Sequence, residues 1–280
     1  MRITTHTIKE LKKKGKKITC LTAYDYSTAK ILDNAGIDLI LVGDSLAQVV
    51  LGYENTLSLT MDEMLHHARA VVRGVKRSLV VVDLPFLTYQ VDSKDAIYNA
   101  GKCLQAGAHA VKLEGASEDI LKTIEKMVKI GIPIMGHIGF TPQSVNALGG
   151  NRVQAKTANA AKEILAQAKA LEKAGCFSVV LELVPSEVAK LVTENISIPT
   201  IGIGAGINCD GQILVIDDLL GKFSDFTPSF VRKYADFAKN TETAIQKYIS
   251  DVQSGKYPDT NESFFLAECE SEKLKSSNLN

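Results

Sequence analysis

Apolar residues along the chain gather in short runs, at 18–24, 39–43, 79–84, 110–113, 132–136, 178–184, 199–203 and 213–219, all rich in Val, Ile and Leu. Within a run the apolar residues are mostly consecutive. A strand with one wet face alternates apolar and polar residues, whereas a strand covered on both faces does not, so these runs predict buried strands of a parallel sheet. Between most of them the spacing becomes helical: in AAKEILAQAKALEKAG at 160–175, Ile164, Leu165, Ala168 and Leu171 share one stripe. Strand and helix in alternation predict repeated βα units.

The punctuation agrees. Ala35-Gly36, Ala106-Gly107 and Ala174-Gly175 each stand between a helical stretch and an apolar run, two βα units apart. Glycine there supplies the left-handed stop that turns the chain back to the sheet. Eight strands in a chain of 280 residues predict an α/β fold of the (β/α)8 TIM-barrel type, with a doubly wound open sheet as the alternative. The start, IKELKKKGKK, predicts a short helix with Thr7 and Glu10 as a capping box and Gly15 as its stop. Its lysines suit a solvated helix face better than a basic binding arm, because no aromatic residue is interleaved with them. The long polar loop at 139–157 is expected over the barrel mouth. LAECESEKLKSSNLN at 266–280 is expected to be a mobile polar tail, which leaves residues 1–265 as one catalytic barrel domain.

Composition narrows the partners. The 32 basic and 32 acidic residues cancel, so no global field attracts nucleic acid or an anionic membrane, and a small molecule is the expected ligand. Cys20, Cys103, Cys176, Cys209 and Cys269 are odd in number, scattered and never in a C-x-x-C pair. Neither a disulfide framework nor a zinc site is expected, and a reducing cytoplasm fits. No apolar run approaches the roughly 18 residues of a membrane span.

Candidate chemistry sits at the ends of the runs. Five of them end in, or carry, ionisable groups: LILVGDSL with Asp44 followed by Ser45, LVVVDLP with Asp83, AVKLEG with Lys112 and Glu114, IPIMGHIG with His137, and SVVLELVP with Glu182. An Asp or Ser after a strand is also an ordinary helix N-cap. In a barrel, however, the carboxyl ends of all strands meet at one face, where these groups would converge. Acids without a His-x-His or a cysteine partner suit a hard cation with oxygen ligands. Magnesium is expected, with Asp44 and Asp83 as candidate ligands. Such an ion binds the carboxylate and keto oxygen of a 2-oxo acid together and acidifies the adjacent C–H. Glu182 then suits the role of base, and Lys112 that of a cation for the substrate carboxylate. A structural ion pair between Lys112 and a neighbouring acid stays open. His137 is equally suited to a hydrogen bond into the site and to a purely structural place. IGIGAG at 201–206 could admit a ligand close to the backbone, but lacks the lysine of a phosphate loop.

At these residues the chain resembles the ketopantoate hydroxymethyltransferase family. TAYDYS (22–27), VGDSL (42–46), DLPF (83–86), VKLEG (111–115), GHIGFTPQS (136–144), VLELVP (180–185), IGIGAG (201–206) and DGQILV (210–215) stand in family order, from about residue 5 to about 265. The resemblance implies a (β/α)8 barrel assembled as a homo-oligomer, usually a decamer in bacterial members. It implies magnesium held by Asp44 and Asp83, with Glu114 acting through water. It also implies substrate contacts from Ser45 and Lys112, and Glu182 as the base; Asp44, Asp83 and His137 are further substrate-binding candidates. The implied reaction moves a one-carbon unit from 5,10-methylenetetrahydrofolate to 3-methyl-2-oxobutanoate through a magnesium-stabilised enolate, giving 2-dehydropantoate for pantothenate synthesis. Ala47, where a glycine usually follows GDSL, and GGNRVQA at 149–155 in place of GGYKVQG depart from the family pattern. A magnesium-dependent 2-oxo acid lyase or aldolase shares the enolate chemistry and is the alternative. A silent oligomeric scaffold would have lost the strand-end acids, and a Schiff-base aldolase would use Lys112 as its nucleophile.

Overall fold

The computed structural model describes residues 2–223 and 227–277. Eight strands, β1 (Ile18–Thr22), β2 (Leu39–Val42), β3 (Leu79–Asp83), β4 (Ala110–Glu114), β5 (Ile134–Gly139), β6 (Ser178–Glu182), β7 (Thr200–Ile203) and β8 (Gly211–Leu214), pair in chain order. Every pairing is parallel, and β8 closes on β1. This is the closed (β/α)8 barrel that the runs predict.

Among the described residues the α-helices are α1 (Thr5–Lys13), α2 (Tyr26–Ala35), α3 (Leu46–Val49), α4 (Met61–Gly74), α5 (Ser93–Gln105), α6 (Glu118–Lys129), α7 (Val145–Leu148), α8 (Ala158–Ala174), α9 (Ser186–Asn195), α10 (Ile216–Leu219), α11 (Phe237–Gln253) and α12 (Glu268–Ser276). Gly36 and Gly175 end α2 and α8 in the left-handed conformation, and Gly107 adopts it just past α5. The recurring Ala-Gly pairs thus act as the predicted stops.

Because side chains on a strand alternate between faces, each barrel strand serves two cores. Outward residues such as Val80, Val82, Val111, Leu113 and Val179 pack under the helices. Inward residues such as Leu39, Leu41, Leu79, Val81, Ala110, Met135, Val180 and Ile201 fill the barrel axis. Ile3 and Ile8 join that inner core, so α1 plugs the amino-terminal end of the barrel. Continuing each inward series by two residues toward the carboxyl end gives Asp83 after Val81, Lys112 and Glu114 after Ala110, His137 after Met135, and Glu182 after Val180. The polar strand ends form the top layer of the same inner face.

Two expectations need correction. The capping box of α1 is formed by Thr4 and Thr7, not Thr7 and Glu10, because the helix begins one turn earlier and Thr7 occupies its third position. The apolar run at 213–219 is not one strand. β8 ends at Leu214, and the run continues into α10, whose Ile216 is buried. Within the segment expected to be a mobile tail, Glu268–Ser276 forms a helix with no buried residue, and 278–280 lie outside the described residues.

Ile8 is fully buried at the plug. Ile8→Ala should lower unfolding free energy in urea titrations by about 2–5 kcal/mol, the cost of emptying a large core position. A loss near zero would show that α1 is not part of the barrel core.

Candidate active site

Strand register builds the site. Asp83 on β3 stands directly opposite Lys112 on β4, and Glu114 on β4 opposite His137 on β5. Both register pairs become contacts. Lys112 Nζ lies 2.7 Å from Asp83 Oδ1 with both side chains almost wholly buried. His137 Nδ1 lies 3.4 Å from Glu114 Oε1, and its Nε2 lies 3.2 Å from Glu182 Oε2. Asp44, two residues beyond β2, donates its backbone N–H to Asp83 Oδ2 at 2.9 Å. Asp44, Asp83, Lys112, Glu114, His137 and Glu182 all line one cavity of about 680 Å³.

The capping alternative for Asp44 and Ser45 is not realised. Ser45 precedes α3 but its side chain makes no cap hydrogen bond. Its hydroxyl instead lies 2.8 Å from Tyr24 Oη. The alternative ion pair for Lys112 is realised, and Lys112 still reaches the cavity wall.

The sequence reading missed the residue that ties the acids together. Gln143, on the loop expected over the mouth, donates its backbone N–H to Glu114 Oε2 at 3.0 Å and its amide nitrogen to Asp44 Oδ2 at 3.0 Å and to the Leu84 carbonyl at 2.9 Å. Its amide oxygen accepts from Tyr89 Oη–H at 2.8 Å, and Tyr89 Oη accepts from Glu114 N–H at 3.1 Å. A buried amide with donors and acceptor all engaged holds one orientation. GFTPQS was visible as a motif, but nothing in its spacing singles out the glutamine, and the isolated Tyr89 carries no signal at all.

Another expectation is corrected at IGIGAG. A Cβ on Gly204 would meet Leu183 Cδ2 at 2.9 Å and Phe230 Cδ1 at 3.0 Å, and one on Gly206 would meet Ser186 Oγ at 2.2 Å. The room left by these glycines is filled by the protein's own side chains, not by a ligand.

The electrostatics define what the site lacks. Burial pushes the Asp44 carboxyl up, reinforced by Glu114, and burial likewise pushes up Asp83, reinforced by Asp44. Burial works against a charge on Lys112, but Asp83, Asp44 and Glu114 outweigh it and hold the ammonium charged. For His137, burial and Lys112 oppose the charge, yet Glu114 and Glu182 hold its pKa up to about 9. Four carboxyl groups, those of Asp44, Asp83, Glu114 and Glu182, therefore crowd around Lys112 and His137 in one cavity. Asp83 Oδ1 and Glu114 Oε1 are buried and accept no hydrogen bond of good geometry. A divalent cation would favour the charged form of these groups. Among the described residues no three His, Cys, Asp or Glu side chains gather as a ready metal cage. The oxygen donors of Asp44 and Asp83 would suit magnesium, which takes one or two carboxylates and completes its shell with water and substrate.

These features define a class: a (β/α)8 barrel enzyme whose acid–base groups crown the carboxyl ends of its strands. A model of the family described as ketopantoate hydroxymethyltransferase matches residues 2–260. The chain is 55% identical over 275 residues, 98% of its own length and 100% of the relative's, to a 3-methyl-2-oxobutanoate hydroxymethyltransferase of Enterococcus faecalis. It is 53% identical over 264 residues, 94% and 93% of the two chains, to one of Acetivibrio thermocellus. The chain belongs to the ketopantoate hydroxymethyltransferase family. Among solved structures it shares the fold of a phosphonopyruvate hydrolase complexed with oxalate and Mg++, at TM-score 0.60 and 12% identity over 98% of this chain and 96% of that one. The fold is also that of 2,3-dimethylmalate lyase, at TM-score 0.57 and 14% identity over 98% and 99%.

Lys112→Met leaves Asp83 buried without its partner, so it should cost about 3–5 kcal/mol of stability. Asp83→Asn in the same chain should recover much of that loss. Additive effects in the double-mutant cycle would mean that the two groups are not coupled.

Proposed function

We propose that the protein transfers a hydroxymethyl unit from 5,10-methylenetetrahydrofolate to 3-methyl-2-oxobutanoate, giving 2-dehydropantoate and tetrahydrofolate. The observation that carries this reading is the group of strand-end acids around Lys112 in a chain with this family membership. Asp44 and Asp83 would hold magnesium, with Glu114 reaching it through water. When bound, the ion polarises the keto oxygen of the 2-oxo acid and so lowers the barrier to removing the neighbouring proton.

Glu182 suits the base. It stands at the end of β6, is partly open to the cavity, and contacts His137 with one oxygen. It takes the proton from C3, and His137, held by Glu114 on its other side, keeps the carboxylate oriented. Lys112 and Ser45 bind and orient the substrate carboxylate. A carbon–carbon bond then forms between C3 and the donor's methylene carbon as the bonds to the two folate nitrogens break. Water supplies the hydroxyl oxygen, and the C3 proton and one water proton are left for those nitrogens. A 2-oxo acid lyase shares the first step but has no use for folate.

A homo-oligomer, with ten subunits the favoured count, accords with the carboxyl-terminal part. α11 has no buried residue, and Ile245, Tyr248, Ile249 and Val252 on it are exposed. An apolar helix face of this kind is covered in stable proteins, and another copy of the chain is the natural cover. All five cysteines are free, four of them buried, which accords with a reducing cytoplasm. No helix among the described residues is long and apolar enough to cross a membrane.

Two measurements test this. With no folate present, the protein and magnesium should exchange the C3 proton of 3-methyl-2-oxobutanoate for solvent deuterium, followed by NMR. Glu182→Gln keeps the side-chain shape without its basicity, so exchange should fall roughly 10²–10⁴-fold. Equal exchange in the variant would move the base elsewhere, and exchange without any folate-dependent product would favour the lyase. Light scattering should give a mass many times the 30.3 kDa of one chain. A monomer would remove the assembly while leaving the chemistry intact.

A further inference from the structure

The cavity is larger than its acid–base centre needs. At about 680 Å³ it lies within the range of roughly 300–1,000 Å³ that encloses a drug-sized ligand, whereas 3-methyl-2-oxobutanoate has only eight heavy atoms. Beyond Glu182 the wall continues through Leu183, Asp218, Phe223, Pro228 and Phe230. This arm adjoins the base directly, because the side chains of Leu183, the next residue, and Phe230 converge on Gly204. Its walls are apolar and aromatic, apart from the Ser229 hydroxyl and one carboxylate.

That carboxylate is Asp218, on the short helix α10 that follows β8. Its neighbour Asp217 is buried and paired with Lys222 at 3.0 Å. The Asp218 carbonyl accepts from Gly221 N–H at 3.1 Å, but its side chain makes no hydrogen bond or ion pair among the described residues. Burial, then Asp217, push its pKa up to about 6, with Lys233 opposing. A half-buried carboxylate in a cavity arm with apolar walls is costly to keep unpaired, and it is stabilised by a ligand that brings two adjacent N–H donors on a flat apolar body.

We propose that Asp218, which shares the cavity arm with Phe223 and Phe230, recognises the pterin ring of the one-carbon donor, accepting hydrogen bonds from its ring N3–H and its 2-amino group. The inference rests on the one-carbon transfer proposed above. The pterin presents those two donors side by side along one edge, which matches a carboxylate's two oxygens. Its planar ring system suits contact with phenylalanine rings. The opposite edge of the reduced ring carries the nitrogen that bears the methylene carbon. Anchoring the amino edge at Asp218 therefore turns the reactive carbon back along the arm toward Leu183 and Glu182. Asp218 is a specificity residue in this assignment, and it takes no part in moving the C3 proton.

The test is titration calorimetry of full-length wild type and D218N with tetrahydrofolate and with 2-desamino-2-methyltetrahydrofolate, an analogue without the amino donor. The dissociation constant of tetrahydrofolate should rise roughly 10- to 100-fold in D218N, the range set by a hydrogen bond to a charged group. The analogue should bind wild type weakly, and D218N should largely erase the difference between the two ligands. Melting temperature and affinity for 3-methyl-2-oxobutanoate check that the variant is folded. Unchanged tetrahydrofolate affinity in D218N, or an analogue penalty of the same size in both proteins, overturns the assignment while leaving the reaction in place. No tetrahydrofolate binding by wild type overturns both.

Discussion

Asp83 and Lys112 face each other across two neighbouring strands, and the site is arranged around that buried pair. The register that makes them opposite residues also makes Glu114 opposite to His137 two positions further on. Shifting β4 by one residue would turn Lys112 and Glu114 outward under the helices and send Val111 and Leu113 into the mouth. Closure of the barrel and assembly of the charged layer are therefore the same event. The apolar inner core below holds that register, since each charged residue continues a strand face that is apolar lower down.

Much of this was legible because a buried parallel strand writes an unambiguous pattern. Continuous Val-Ile-Leu runs mark coverage on both faces, and an ionisable residue at the end of such a run has few places to go except the mouth. Asp83, Lys112, Glu114, His137 and Glu182 all obey that logic. The run at 213–219 misled for the same reason that the others informed: strand end and short helix are both buried there, and seven residues are too few for periodicity to separate them. At the amino terminus, two threonines three residues apart both suit a cap, and only the backbone chooses Thr4. Gln143 was illegible because its role depends on where a loop lands, not on spacing within the loop. Its partners Asp44, Leu84, Tyr89 and Glu114 come from three other stretches of chain.

The backbone around Glu182 carries a second constraint. Leu183 adopts a left-handed conformation, φ 47, which costs a residue with a side chain about 1–3 kcal/mol and persists only when its surroundings impose it. Those surroundings are visible. Phe140 N–H bonds to the Glu182 carbonyl at 2.8 Å, Leu183 N–H to Ile203 at 3.0 Å, and Gln154 N–H to the Leu183 carbonyl at 2.7 Å. The mouth loop thus grips the chain on both sides of this turn. Ala155, where the family pattern has glycine, is itself left-handed at φ 56, so this departure adds strain to the loop.

Lys112 has two roles to reconcile, since it is already paired and is also the substrate cation of the proposed reaction. An ammonium carries three N–H donors, and Asp83 occupies one direction at 2.7 Å. Two donors remain on the group that is held charged most firmly at the mouth. The pair with Asp83 is then what makes the lysine usable: without it, burial would favour the neutral amine, which attracts no carboxylate. The same pair limits the lysine's reach, because its position is set by β3 and not by the substrate. A 2-oxo acid must therefore come to Lys112, down among the four carboxyl groups at the mouth. A bound divalent cation would offset the charge of those groups and ease that approach. In the proposed reaction the strand-end acids would thus hold the cation, and the cation would ease the entry of the substrate toward the fixed lysine.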